Sequence, residues 1–205
     1  MSENRKFSVL MSVYIKENPT FLEEAVESIL HQTLKPSEVV IVEDGPLTPE
    51  LYQVLDKLTA QSSIPIKRCP LEQNRGLGLA LQYGVLQCQY DVIARMDTDD
   101  IAVEDRFEQQ FDLMEKENLD LLGGHIAEFI DQPDEIVSYR RVPIKHEDIV
   151  AYQRMRSAFN HMTVMFKKEM VLKAGNYEDG LYMEDDLLWL NMISAGARTG
   201  NVDQI

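Results

Sequence analysis

Cysteine is nearly absent: Cys69 and Cys88 are the only two in 205 residues. Their separation matches no metal-ligand spacing, and one pair in a chain this long is no disulfide framework, so both are read as reduced thiols packed in the interior. Long apolar runs are also missing. No window approaches the roughly 20 residues needed to cross a bilayer. The run Phe7–Val13, behind Arg5 and Lys6, is short, is broken by Ser8 and Ser12, and has no small-residue cleavage site after it, which argues against a secretory leader. A cytoplasmic location is the expectation. Positive charge is scarce, with 20 Lys and Arg against 35 Asp and Glu, for a net charge of −15. That balance excludes a nucleic-acid binder, which needs basic surface to displace counterions. It leaves a nucleotide substrate open, because a bound metal reverses the local field.

What remains is an ordinary globular composition, 44% hydrophobic and 27% charged. Without repeat, low-complexity tract or linker, residues 1–205 are read as one domain. The first half alternates in period. Phe7–Tyr14 reads as a strand, and Phe21, Leu22, Ala25, Val26, Ile29 and Leu30 as one face of a helix opened by a Thr20/Glu23 capping box. Val39–Val42 reads as a buried strand ending in Glu43-Asp44-Gly45-Pro46. Thr48-Pro49 opens a second helix, Ile64–Ile66 is a short strand, Gly76–Cys88 a helix and Val92–Met96 a strand. Strand–helix alternation of this kind implies a parallel sheet with right-handed crossovers.

The second half is more mixed. A helix is expected around Ala102–Met114, strands at Leu119–Leu122 and Ile126–Ile130 with a turn or bulge at Gly123-Gly124, and a polar loop over Gln132–Ile144. His161–Phe166 suits a strand, Glu184–Ala195 a helix that begins in acids, and Ala197–Val202 the approach to a last strand. Met11, Met96, Met162, Met165 and Met183 are expected as core filler.

The densest chemistry is Val92-Ile93-Ala94-Arg95-Met96-Asp97-Thr98-Asp99-Asp100, an apolar strand that stops in three acids. Carboxylates so close repel one another unless a cation or strong donors lie among them. Alternate Asp97 and Asp99 suit one hard divalent cation, and strand C-termini are where open α/β sheets place their sites. An acidic turn with Asp100 as N-cap of the next helix accounts for the same residues without any function. Tyr14 and Asp44 end two further strands on the same expected edge. An EF-hand-like calcium loop is excluded, because Ile101 and Ala102 stand where a ligand and a turn glycine are required.

Four segments in order, Ser8–Tyr14, Val40–Gly45, Asn74-Arg75-Gly76 through Ala80, and Ala94–Asp100, together with Glu184-Asp185-Asp186 and Trp189, resemble the inverting family 2 glycosyltransferases. The likeness runs from Phe7 to about Gly196. It implies an α/β, GT-A fold: a Rossmann-like, mostly parallel sheet flanked by helices. Residues 1–100 would form a nucleotide-binding half and 101–205 an acceptor-side half, and further C-terminal helices usual in the family would be missing. It implies an enzyme that moves a sugar from a UDP-sugar to a saccharide or lipid-linked acceptor, with Mg²⁺ or Mn²⁺ held by Asp99 and Asp97. Asp97 reaches the ribose in an alternative arrangement. Asp44 would accept from uracil N3–H, Tyr14 would stack on the base, and Ser12 or Val13 would offer backbone groups to it. Asn74 and Gly76 would line the nucleotide, with Arg75 or Arg95 balancing phosphate charge. Asp185 would be the general base that deprotonates the acceptor hydroxyl, with Glu184 and Asp186 as lesser candidates. Bacterial surface-polysaccharide assembly, in the cytoplasm or at the inner face of the membrane, is the implied setting.

Two other readings compete. A non-catalytic nucleotide-sugar-binding module would keep Asp44, Asp97 and Asp99, but has no use for Asp185. A metal phosphohydrolase ranks lower, since the first strand ends in Tyr14 rather than in acids and Ile101 takes the place of the expected Thr. His161 is read as a structural hydrogen-bonder, and Trp189 as either core or acceptor platform.

Overall fold

Four apolar runs of the first half form parallel neighbours in the computed structural model, which describes residues 5–130, 132–178 and 183–205. They are β1 (Ser8–Val13), β2 (Glu38–Glu43), β3 (Ile66–Pro70) and β4 (Val92–Arg95), in spatial order β3-β2-β1-β4. Helices α1 (Pro19–Leu30), α2 (Pro49–Gln61) and α3 (Leu77–Gln87) make the crossovers. Successive strand residues feed opposite faces. Val9, Met11, Val39 and Ile41 pack with α1, α2 and α4 (Arg106–Glu117). Leu10, Val40 and Val42 pack with α3 and α7 (Glu184–Ser194). Two buried faces explain why β2, with no exposed residue, reads as an unbroken apolar run rather than an alternating one.

The second half extends the same sheet and breaks its polarity. β8 (Met165–Lys167) runs antiparallel to both β4 and β5 (Leu121–Gly124), and β9 (Thr199–Val202) pairs parallel with β5. The full order is β3-β2-β1-β4-β8-β5-β9, mostly parallel with one reversed strand. β6 (Ile126–Phe129) and β7 (Ile136–Arg140) form a separate antiparallel hairpin. Short helices α5 (His146–Tyr152) and α6 (Lys168–Lys173) and a 3₁₀ turn at His161–Thr163 complete the elements. Among the described residues no helix is long and apolar enough to cross a membrane.

Several local expectations are corrected. Helix α1 is capped by Asn18, whose side chain accepts from Thr20 N at 2.9 Å, with Pro19 in its first turn, so the Thr20/Glu23 box is not the cap. Strand β3 begins where Ile64–Ile66 ends. Asp100 does not cap α4, which starts at Arg106 behind Asp105. Gly123 and Gly124 lie within β5, where a Cβ on Gly123 would meet Asn201 Oδ1 at 2.7 Å. Gln132–Ile144 contains β7, whose residues are mostly exposed and so carry no buried-strand signal. His161–Thr163 is 3₁₀ rather than strand. Met183 is 64% exposed, not core, and Met162 is only half-buried. The Thr48-Pro49 helix start is observed, with Thr48 Oγ1 accepting from Leu51 N at 3.3 Å.

Candidate active site

Strand order reverses at β1: one crossover leads to β2 on one side, a later one to β4 on the other. The loops leaving the C-terminal ends of β1 and β4 therefore diverge and leave a crevice between them. Tyr14 and Glu17 follow β1, and Asp97–Asp100 follow β4. Asp44 follows β2, the other neighbour of β1. The three polar strand ends read from the sequence do share one edge.

Asp44 is 3% exposed and organises the nearby loop. Its Oδ1 accepts from Arg75 N at 2.7 Å, and its Oδ2 accepts from Asn74 Nδ2 at 2.9 Å and Gly76 N at 3.0 Å. One carboxylate thus fixes three consecutive residues, and Oδ1 keeps acceptor capacity beyond its single bond. Gly45 has φ +85°, and a Cβ there would lie 2.5 Å from Asn74 N, so the close approach of the two loops requires glycine. Gly76 also has φ +85°, at the N-cap of α3, with open space around its missing side chain. Arg75, Asn74 and Gly76 are exposed, as is Tyr14 (38%), while Ser12 is half-buried within β1.

Past β4 the three acids converge. Asp97, Asp99 and Asp100 each present an oxygen within 4.8 Å of the others. Hard oxygen donors at that spacing fit Mg²⁺ or Mn²⁺. Burial, with repulsion from Asp97 and Asp99, pushes Asp100 up to about 6. Glu17 reaches the same cluster from the β1 side. Burial raises its carboxyl, Asp99 and Asp97 add to the rise, and a hydrogen bond from Thr98 opposes it. Arg95 is 1% exposed and forms an ion pair with Asp97. Burial pulls its guanidinium down, but Asp97 outweighs that and the net shift is upward. Of the two arginines considered for phosphate, Arg95 is therefore an interior partner of Asp97, and Arg75 is the exposed one.

The third group stands at the start of α7. Burial raises the Asp185 carboxyl, and Asp186 and Glu184 add to it, against a hydrogen bond from the Asp186 backbone. Nδ1 of His161 lies 4.0 Å from Asp185 Oδ2, and its Nε2 meets the Tyr177 hydroxyl at 3.0 Å. Burial and Arg95 lower His161 well below the usual imidazole range, so the ring is neutral. Tyr177 is raised by burial, with Asp185, Glu184 and Asp97 among the charges that act on it. Trp189 is fully buried, edge-on to His161 at 5.9 Å between centroids, which makes it core and not an acceptor platform. His161 has the structural hydrogen bond read for it. Both cysteines are free and buried, and burial raises Cys69 and takes Cys88 to about 12.

The geometry gathers Asp44 with Asn74 and Gly76, Asp97 with Asp99, and His161 with Asp185; Arg95 pairs with Asp97, and its charge also acts on buried His161. Sequence reasoning missed Glu17, and counted Asp100 among three crowded acids without assigning it to the metal. Two adjacent acids at a strand end were the available signal for Asp100. Glu17 had only its place just after a strand.

The family described as Glycosyl transferase family 2 matches residues 8–175. An uncharacterized glycosyltransferase of Haemophilus influenzae is 46% identical over 201 residues, covering 98% of this chain and 74% of that protein. The amylovoran biosynthesis glycosyltransferase AmsE of Erwinia amylovora is 42% identical, covering 97% and 74%. The UDP-Gal:alpha-D-GlcNAc-diphosphoundecaprenol beta-1,3-galactosyltransferase of Escherichia coli is 40% identical, covering 98% and 72%. Among solved structures, residues 1–349 of S. aureus TarS in complex with UDP-GlcNAc share the fold at TM-score 0.75 and 19% identity, covering 98% of this chain and 56% of that one. The chain belongs to glycosyl transferase family 2 and is a glycosyltransferase with the GT-A fold.

Proposed function

We propose that this glycosyltransferase moves a sugar from a UDP-sugar, with inversion at the anomeric carbon, to a hydroxyl of a glycan or lipid-linked acceptor in surface-polysaccharide assembly, at the inner face of the membrane or in the adjoining cytoplasm. One observation carries the reading. Three carboxylates converge after β4, and a fourth, Asp185, with a raised proton affinity, stands at the start of α7 beside His161. The first group suits a metal-bound diphosphate and the second suits a proton acceptor.

In this scheme Asp44 accepts from uracil N3–H through Oδ1, while its other bonds hold Asn74–Gly76 against the nucleotide. Tyr14 covers the base, and Ser12 lies beneath it on β1. Asp97 and Asp99, joined by Asp100, would hold Mg²⁺ or Mn²⁺, which supplies charge neutralisation for the departing diphosphate. Arg95 orients Asp97 through their ion pair. Asp185 takes the proton of the acceptor hydroxyl as that oxygen bonds to the anomeric carbon and UDP leaves from the opposite side. The neutral ring of His161 borders Asp185 without adding a positive charge that would lower its basicity. A relative at 40% identity named for UDP-Gal and a diphosphoundecaprenol-linked sugar supports the donor and acceptor classes, and the amylovoran relative supports the setting.

Calorimetric titration of UDP, with and without Mn²⁺, into wild type and Asp99→Ala tests it. Binding that requires Mn²⁺ and vanishes in the variant is expected. A folded wild-type protein that binds no UDP under either condition would sink the uridine donor.

A further inference from the structure

A groove beside the start of α7, lined by none of the donor-crevice residues named above, has a volume of about 910 Å³. Its walls bring together Arg140 and Arg141 from the end of β7 and Arg154 and Arg156 from the loop after α5. All four are exposed, and among the described residues none has an ion-pair partner. Like charges on one groove wall repel one another, and an anion seated among them relieves that repulsion. The two acids on the walls are bonded by neutral donors. Gln153 Nε2 donates to Asp186 at 2.8 Å, and the Ser138 hydroxyl donates to Glu128.

The rim is apolar. Met155, between Arg154 and Arg156, is 82% exposed, and Tyr139 and Met183 are exposed with it. Guanidinium forks match phosphate oxygens two at a time, so four of them suit two linked phosphates. Exposed Met and Tyr side chains beside such a cluster suit the first apolar carbons of a lipid. Asp186 forms part of the wall and neighbours Asp185 in the first turn of α7, so the groove lies against the turn that carries the proposed base.

We propose that this groove holds the diphosphate of a polyprenyl-diphosphate-linked acceptor: the four arginines bind the phosphates, Met155 and Tyr139 border the lipid, and the attached sugar points to Asp185. This rests on the glycosyltransferase reading above, with its lipid-linked acceptor, and adds the site that holds the acceptor's diphosphate.

The test uses the whole chain saturated with UDP and Mn²⁺, so that the donor crevice is filled. Farnesyl diphosphate and inorganic pyrophosphate are titrated separately into wild type, Arg154→Ala/Arg156→Ala and Arg140→Ala/Arg141→Ala. Expected are farnesyl diphosphate binding, at least tenfold weaker in each double variant, and weaker binding of pyrophosphate to wild type. UDP affinity, measured on the same samples, should not change, which also reports folding. Unchanged farnesyl diphosphate binding in both variants overturns the inference. So does equal affinity for pyrophosphate, which would mark a site for phosphate with no place for lipid. No farnesyl diphosphate binding to a protein that binds UDP overturns the inference alone. Loss of UDP binding in wild type overturns the donor reading instead, and the farnesyl diphosphate titration still reports on the groove.

Discussion

Nδ1 of His161 stands 4.0 Å from Oδ2 of Asp185, yet the two are not a charged pair. Burial and Arg95 keep the imidazole neutral, and burial raises the carboxyl. Asp185 therefore holds its proton to higher pH than an ordinary aspartate. Two consequences of opposite sign follow. As a general base it must be ionised, so kcat should fall as pH drops through its raised pKa, and Asp185→Asn should lower kcat by about 10²- to 10⁴-fold with UDP binding unchanged. For stability, the folded state binds this proton more tightly than the unfolded chain. That contribution is full below the unfolded pKa and lost as pH rises through the folded one. At neutral pH the Asn variant should thus melt at a higher temperature than wild type. A variant equally active, or inactive but no more stable, contradicts this account of Asp185.

The contact between Gly45 and Asn74 gives a second prediction. Gly45→Ala must place a side chain at φ +85° and within 2.5 Å of a backbone nitrogen. Backbone strain of this kind costs about 1–3 kcal/mol before the steric clash is added. The loop fixed by Asp44 should shift, so UDP affinity should fall together with stability in a thermal melt. Asp44→Asn should lower UDP affinity with a smaller effect on melting, because an amide oxygen in the Oδ2 position can still accept from Asn74 Nδ2 and Gly76 N, two of the three donors.

Much of this site was legible because it sits at strand ends. Val92–Ala94 is apolar and Asp97–Asp100 is not, and a change that abrupt marks both the strand and its exit. Val39–Val42 before Asp44 reads the same way. The antiparallel insertion of β8 was not legible, since a three-residue strand carries no sign of its direction and its pairing with β4 and β5 is set by tertiary packing. β7 looked like a loop because its hairpin with β6 lies mostly in solvent and lacks a buried alternation. Asn18 was passed over as a cap because Thr20/Glu23 fits the same rule two residues later. Glu17 was missed for a different reason: an acid in a loop shows its neighbours only once the chain is folded.

Trp189 separates packing from acceptor binding. It is fully buried among Phe159, Phe166, Tyr177 and His161, and its indole Nε1 has no hydrogen-bond partner among the described residues. Trp189→Ala should destabilise by about 3–5 kcal/mol in chemical denaturation. Trp189→Phe should cost much less, since it removes an unbonded buried N–H along with some volume. Neither change should weaken UDP binding in protein that remains folded. A Phe variant with normal stability and lost acceptor use would restore the platform role that burial denies.

Asp100 supplies the last test, because its charge should act in opposite directions with and without metal. Without metal, Asp97, Asp99 and Asp100 repel one another, and burial of Asp100 adds to the cost of ionising it. Asp100→Asn removes one charge from that cluster, so in EDTA the variant should melt above wild type. With Mn²⁺ the same charge attracts the cation, either as a ligand or as the support of one. Its loss should weaken Mn²⁺-dependent UDP binding by about 10- to 100-fold, the range seen when groups supporting a metal site are removed. The sign reversal is the informative result. A variant stabilised in EDTA with undiminished Mn²⁺-dependent binding would leave the metal to Asp97 and Asp99 alone and make Asp100 a bystander. A variant destabilised in both conditions would show that Asp100 shapes the turn after β4, and that the convergence of three carboxylates is a product of folding with no cation to serve.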